Sequence, residues 1–224
     1  MQKVMEFELA RDCLRYFVNK FGIKQMYIPY YLCDVVRHTL VDEGCKPIFY
    51  HIDDNFYPAI EFSKEDFILY PNYFGICVEN VEKLVSIYSK LIVDNAHAYY
   101  DKPQGFACFN AGHKFGQKSS CLWIDDANKK NKQEISDNIY PNPRIKKFLE
   151  LHKKYSEKNQ LQIDTKNITA PFVYPYLAES IEAADSLAKN LQEEGKTIYR
   201  YWNPLPENYN EYKFYSRLVP IPLD

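Results

Sequence analysis

The chain has 224 residues, 46% of them hydrophobic, enough for one large domain or one and a half. Its net charge of -2 leaves no basic surface for nucleic acid. No apolar run approaches the ~20 residues a membrane span needs. The start, MQKVMEFELARDCL, carries acids and lacks the apolar core of a signal peptide. The six cysteines, Cys13, Cys33, Cys45, Cys77, Cys108 and Cys121, show no CxxC spacing, so neither a zinc site nor any other metal is expected. They read as free thiols in a reducing compartment, and a cytoplasmic protein is the expectation.

In chain order, Val4 to Phe21 has helical spacing. Leu9, Cys13, Phe17 and Phe21 share a face, and Gly22 closes the helix. Strands are expected at Gln25–Ile28, Pro47–His51, Phe67–Tyr70, Leu91–Asp94 and Phe106–Phe109, with a further apolar run at Leu122–Ile124. Helices over Leu32–Glu43 and Val81–Ser89 alternate with them. That alternation predicts an α/β fold, a mostly parallel sheet with helices on both faces, over residues 1–125. Residues 126–142, polar and closed by two prolines, read as an exposed linker. Residues 143–224 read as a small α+β unit. Its expected helices are Pro143–Lys158 and Ala178–Glu194, with two or three short strands around Tyr199 and Val219.

The chemistry gathers between Lys90 and Trp123. Asp94 ends one apolar run, and Lys114 lies in the polar turn after another. In open α/β sheets, ligands sit at the carboxyl ends of strands. An acid and an amine in such a crevice can hold a pyridine ring at both ends, the acid at the ring nitrogen and the amine at an aldehyde. Taken singly, Lys114 reads first as a surface lysine in a hairpin turn, and Asp94 as an N-cap or turn aspartate after a strand. Lys118 is a rival amine. Neither GxGxxG nor a phosphate-binding P-loop can be written, which argues against a nucleotide-binding α/β protein.

Several segments, in order, resemble the DegT/DnrJ/EryC1/StrS sugar aminotransferases, which are fold-type-I enzymes using pyridoxal phosphate (PLP). Asp94-Asn95-Ala96-His97 is similar to that family's D-x-A-[HQ] motif, and His113-Lys114-Phe115-Gly116 to its R-K-F-x-G segment. Tyr27 to Tyr31, Glu43 to Ile48 and Pro71 to Gly75 resemble its strand-end and loop segments. The resemblance implies an aspartate aminotransferase-like fold, with Lys114 as the Schiff-base lysine, Asp94 as partner of the pyridinium nitrogen and His97 beside the ring. Tyr30 or Tyr31 would stack on the ring, and Asn72 stands where the family has a loop His. It further implies a homodimer, and a nucleotide-linked keto-sugar and an amino donor as substrates, in surface polysaccharide biosynthesis.

The sequence also departs from the family. Glu8-Leu9-Ala10-Arg11 stands where a Gly-Ser/Thr turn would hold the phosphate, and Ala111 where a Ser precedes the lysine. Ser119-Ser120-Cys121 replaces a Gly-Gly, His113 replaces an Arg, and a G-x-N-x-R segment is not found. Arg11 and Asn110 are the candidates to compensate. The alternative expectation is a non-catalytic relative, a binding or partner protein that kept the fold and lost the phosphate cup.

Overall fold

The computed structural model describes residues 3–125, 144–202 and 204–223. The elements of the first part are β1 (Lys3–Phe7), α1 (Ala10–Phe21), β2 (Gln25–Pro29), α2 (Asp34–Asp42), β3 (Lys46–Tyr50), β4 (Ile68–Pro71), α3 (Val78–Ile87), β5 (Leu91–Asn95), β6 (Ala107–Asn110) and β7 (Ser120–Ile124). The seven strands form one sheet in the order β1-β7-β6-β5-β4-β2-β3. The five strands from β3 to β6 run parallel, while β7 is antiparallel to both β6 and β1.

Apolar side chains leave both faces of this sheet. On one face Ile28, Leu69, Ile92, Phe109 and Leu122 pack against Leu14, Phe17 and Val18 of α1 and Val36 and Leu40 of α2. On the other, Ile68, Tyr70, Leu91 and Val93 pack against Val81 and Leu84 of α3 and against Leu161, Val173, Phe214 and Leu218 from later in the chain. β4 and β5 are buried at every position, as expected of strands covered on both sides. The α/β fold read from strand–helix alternation is thus observed, and its five expected strands lie within a residue or two of β2 to β6.

Two expectations are corrected. The first expected helix does not reach back to Val4: Lys3–Phe7 is a strand paired with β7, and α1 begins at Ala10. Val4 and Glu6 are exposed while Met5 and Phe7 are partly buried, a period of two that the helical spacing beyond Leu9 concealed. The second correction concerns the C-terminal part. Its elements are α4 (Arg144–Tyr155), β8 (Val173–Leu177), α5 (Ile181–Glu193), α6 (Tyr212–Arg217) and β9 (Leu218–Pro222). Tyr199 lies in no strand, and Val219 pairs with Tyr176 in an unforeseen β8. Pro175 faces Pro220 across this two-stranded ladder, and prolines there disguise the strands. They are tolerated because each strand of a pair has a free edge that requires no N–H donor. Tyr174, Val219 and Ile221 of this ladder pack with Phe148 of α4 and Ala184 and Leu191 of α5. The expected linker at 126–142 lies outside the described residues. Among those described, no helix is long and apolar enough to cross a membrane.

Candidate active site

The parallel strands set the site. Pro71 of β4, Asp94 of β5 and Phe109 of β6 stand in register at the carboxyl ends of three adjacent strands. All three border a cavity of about 270 Å³, together with residues from the start of α1, the start of α2 and the turn after β6. Its charged lining residues are Arg11, Asp94 and Lys114, with His97 and His113 as the imidazoles.

Asp94 is 7% exposed. Its Oδ1 accepts a 2.8 Å hydrogen bond from the Ala96 N–H, and its carbonyl accepts one of 3.0 Å from the Asn72 N–H. Burial pushes the carboxyl pKa up to about 6, against the opposing pull of the Ala96 N–H and the Lys114 charge.

Lys114 rides on a short 3-10 turn, Gly112–Phe115, that follows β6. The turn is tight at its start: a Cβ on Gly112 would lie 1.9 Å from the Ser119 carbonyl oxygen, so only glycine fits. The residue is half-buried, and its Nζ lies 5.6 Å from the Phe172 ring centroid. Burial pulls its pKa down, and the charge of Asp94 and then the Cys33 thiol oppose that pull. Lys118 is exposed and does not line the cavity.

His97 is 4% exposed and is held between aromatic planes. Its ring lies 4.6 Å from Phe172, 5.6 Å from Trp202 and 5.8 Å from Phe74, within 25° of parallel in each case. Burial, then the nearby Lys114 charge, hold its pKa well below the ordinary imidazole value. Its Nε2 is buried without a hydrogen-bond partner.

Leu9, Ala10 and Arg11 at the start of α1 line the same cavity, with Ala111 and His113 from the turn after β6. Leu9 is the N-cap residue, and no side chain caps this helix. Arg11 and His113 are exposed at the rim. Partial burial, Lys114 and Arg11 together lower the His113 pKa.

The cavity therefore brings together Asp94, His97, Lys114, Asn72 and Arg11 from the expected set, and leaves out three residues. Tyr30 stacks on Phe49 and contacts His51 and Tyr209. Tyr31 turns into the core, where it stacks on Tyr73 and donates a 2.9 Å hydrogen bond to the Tyr201 carbonyl. The chain leaves the sheet after Pro29, and Leu32 and Cys33 reach the cavity instead. Asn110 is locked sideways, its Oδ1 accepting from the Cys121 N–H of β7 at 2.8 Å. Asn72 lines the cavity but both ends of its amide are engaged. Its Oδ1 accepts from Cys77 N–H at 3.0 Å, and its Nδ2 donates to Asp101 at 2.9 Å. Trp202 and Phe172 were missed. Their only sequence signal is an aromatic excess spread over the whole chain.

No family model matches the sequence, and no curated protein matches it either. Solved structures do match the fold. A DegT DnrJ EryC1 StrS aminotransferase from Brucella abortus superposes with a TM-score of 0.73 at 13% identity, over 98% of this chain and 80% of that one. PseC of Helicobacter pylori, an aminotransferase of pseudoaminic acid biosynthesis, gives 0.70 at 15% identity, over 98% and 81%. The PLP-form of Spr1654, a putative sugar aminotransferase from Streptococcus pneumoniae, gives 0.70 at 14% identity, over 99% and 82%. The chain thus has the fold of the DegT/DnrJ/EryC1/StrS sugar aminotransferases.

Proposed function

We propose that the chain is a PLP-dependent aminotransferase acting on a nucleotide-linked keto-sugar, with Lys114, Asp94 and His97 as its reacting residues. One observation carries this reading: the buried carboxylate of Asp94 and the desolvated amine of Lys114 border one strand-end cavity. The donor set fits the cofactor. An acid, an amine and a stacked imidazole with an unused Nε2 surround an apolar space. By the start of α1, the Arg11 guanidinium, the His113 imidazole and a helix N-terminus take the place of hydroxyls.

When bound, PLP supplies a carbonyl carbon and a ring that accepts electron density. Lys114 acts as the amine, because burial favours the neutral form that attacks a carbonyl. Asp94, with a pKa near 6, is mostly ionised at neutral pH, and its charge holds a proton on the pyridine nitrogen. His97 stays neutral and offers Nε2 to the ring or its phenolic oxygen. Arg11 offers charge-assisted hydrogen bonds to the phosphate. Trp202 and Phe109 shield the reacting end from water. In this reading residues 1–125 form the cofactor unit and 143–224 a smaller unit beside it. The protein works as a cytoplasmic homodimer, as the resemblance implies.

A second reading, a non-catalytic relative that serves as a binding protein, is favoured by Leu9, Ala10 and Ala111 at the α1 end, which bring no side-chain donors. Each missing charge-assisted hydrogen bond weakens phosphate binding by about 1.5–3 kcal/mol. A PLP titration followed by absorbance decides between the two. The enzyme reading requires a visible band that is lost in Lys114→Ala and gained at lower PLP in Ala10→Gly with Ala111→Ser. No band at millimolar PLP leaves the non-catalytic reading.

A further inference from the structure

Three segments of the chain meet around the His97 ring. Phe74 follows β4, His97 follows β5 and Phe172 precedes β8, and the imidazole stacks on both phenyl rings. The segments also meet through their backbones: Gly75 packs against the carbonyls of both Ala170 and His97, with no room for a side chain. The His97 Nε2 has no hydrogen-bond partner, so packing between aromatic planes sets the direction of the ring. Stacked rings slide past one another at little cost, whereas hydrogen bonds fix distance and direction. Something else must hold the three segments in register.

One carboxylate joins all three. Asp101 Oδ2 accepts a 2.9 Å hydrogen bond from Asn72 Nδ2, just before Phe74. Its Oδ1 accepts from Thr169 Oγ1 at 2.9 Å, just before Phe172, and from the Lys102 N–H at 3.0 Å. Its own N–H donates to the Ala98 carbonyl at 2.9 Å, closing the turn that His97 enters. The Asn72 amide cannot flip away, because its Oδ1 accepts from the Cys77 N–H at 3.0 Å. Burial raises the Asp101 pKa, and the hydrogen bonds from Thr169, Lys102 and Asn72 oppose that rise. An ionised carboxylate serves donors at both oxygens, whereas an amide has only one acceptor oxygen. Asp101 does not line the cavity, so any part it has there is indirect.

We propose that Asp101 is a positioning residue: by tying the Asn72, His97 and Thr169 segments together, it holds the His97 imidazole in its place on the cavity wall. What His97 then does to a cofactor rests on the aminotransferase reading; the clamp does not.

The test uses cofactor-free protein and substoichiometric diethyl pyrocarbonate, which acylates neutral imidazoles, with the modified histidines followed by peptide mass mapping. His113, exposed at the rim of the same cavity, is the internal reference. In wild type His97 should react far more slowly than His113. Asp101→Asn should speed the reaction of His97 by about tenfold and leave His113 unchanged. Thr169→Val removes one arm of the clamp and keeps the shape of the side chain. It should speed His97 less, and it is the variant expected to stay folded. Asp53→Asn is the control for a general loss of stability. It changes another turn carboxylate, which accepts from the Asn55 and Tyr57 N–H groups at 2.8 Å, and it should leave His97 slow. A His97 rate unchanged in both Asp101→Asn and Thr169→Val overturns the proposal, as does equal acceleration in Asp53→Asn. Equal rates for His97 and His113 in wild type overturn it too. Under the aminotransferase reading, Asp101→Asn also raises the PLP concentration needed for the visible band. A missing band in wild type sinks that reading alone and leaves the histidine rates standing.

Discussion

The imidazole of His97 and the ring of Phe172 lie face to face, with centroids 4.6 Å apart and planes 20° apart. His97 follows β5 and Phe172 precedes β8, so one stack joins the sheet to the C-terminal part. The Phe172 N–H adds a 2.8 Å hydrogen bond to the Phe74 carbonyl. Phe172→Ala removes the stack. A stability loss of about 3 kcal/mol is expected in urea unfolding, with Phe172→Leu losing less. A loss within experimental error would show that the stack is not a fastening.

Gly75 closes the loop after β4 with φ at 72°. A Cβ there would lie 2.1 Å from the Ala170 carbonyl oxygen and 2.6 Å from that of His97. Gly22 has a similar φ of 59° but nothing within 4 Å. The two glycines separate backbone strain from crowding. Gly22→Ala should lose about 1 kcal/mol, and Gly75→Ala more than about 2 kcal/mol. Equal losses at both positions would mean the loop yields without effort.

The contrast between β5 and β1 shows what was legible in the sequence. Leu91-Ile92-Val93 is fully buried, and a buried strand shows as an unbroken apolar run wherever it falls. The edge strand β1 gives only a four-residue alternation, which adjoins a true helical period and merges with it. Asp94 and Lys114 were legible because strand ends position them directly. Tyr30 and Tyr31 were not, because their side chains leave an irregular turn whose direction depends on partners such as Phe49 and Tyr201, distant in sequence. The walls supplied by Trp202 and Phe172 are tertiary for the same reason.

Asp94 makes stability depend on pH. Its carboxyl pKa is raised from 3.8 unfolded to about 6 folded, so the native state binds the extra proton between those values. Stability therefore falls as pH rises through that window and is level above it. The two-unit shift corresponds to at most about 3 kcal/mol. Asp94→Asn retains an acceptor for the Ala96 N–H and has no charge to bury. Relative to wild type it should gain stability as pH climbs from about 4 to about 6. Parallel curves for the two proteins across that range would refute the assignment.

Glu211 is fully buried and fastens α6 to the end of β3. It accepts from the Ile52 N–H at 2.7 Å and pairs with His51 Nδ1 at 3.0 Å. Glu211→Ala leaves a buried N–H without its acceptor and should lose about 2 kcal/mol or more. Glu211→Gln preserves an acceptor and should lose less. Hydrogen exchange at the Ile52 amide is the direct readout: it should accelerate in the alanine variant and stay near wild type in the glutamine variant.

The last prediction links the two residues at the centre of the site. Burial lowers the Lys114 pKa, and the Asp94 charge partly restores it. Removing that charge leaves burial less opposed, so Asp94→Asn should move the Lys114 pKa further down. Under the proposed function the same substitution removes the partner of the pyridine nitrogen. The variant should therefore react faster with a simple carbonyl reagent at neutral pH while binding PLP less well. Carbon NMR of protein dimethylated at its lysines follows Lys114 directly, with its resonance assigned by loss in Lys114→Arg and the exposed Lys118 as an internal reference. A Lys114 titration that does not move in Asp94→Asn would mean that the two groups do not sense each other across the cavity. The case for a shared ring between them would then fail, whatever the fold.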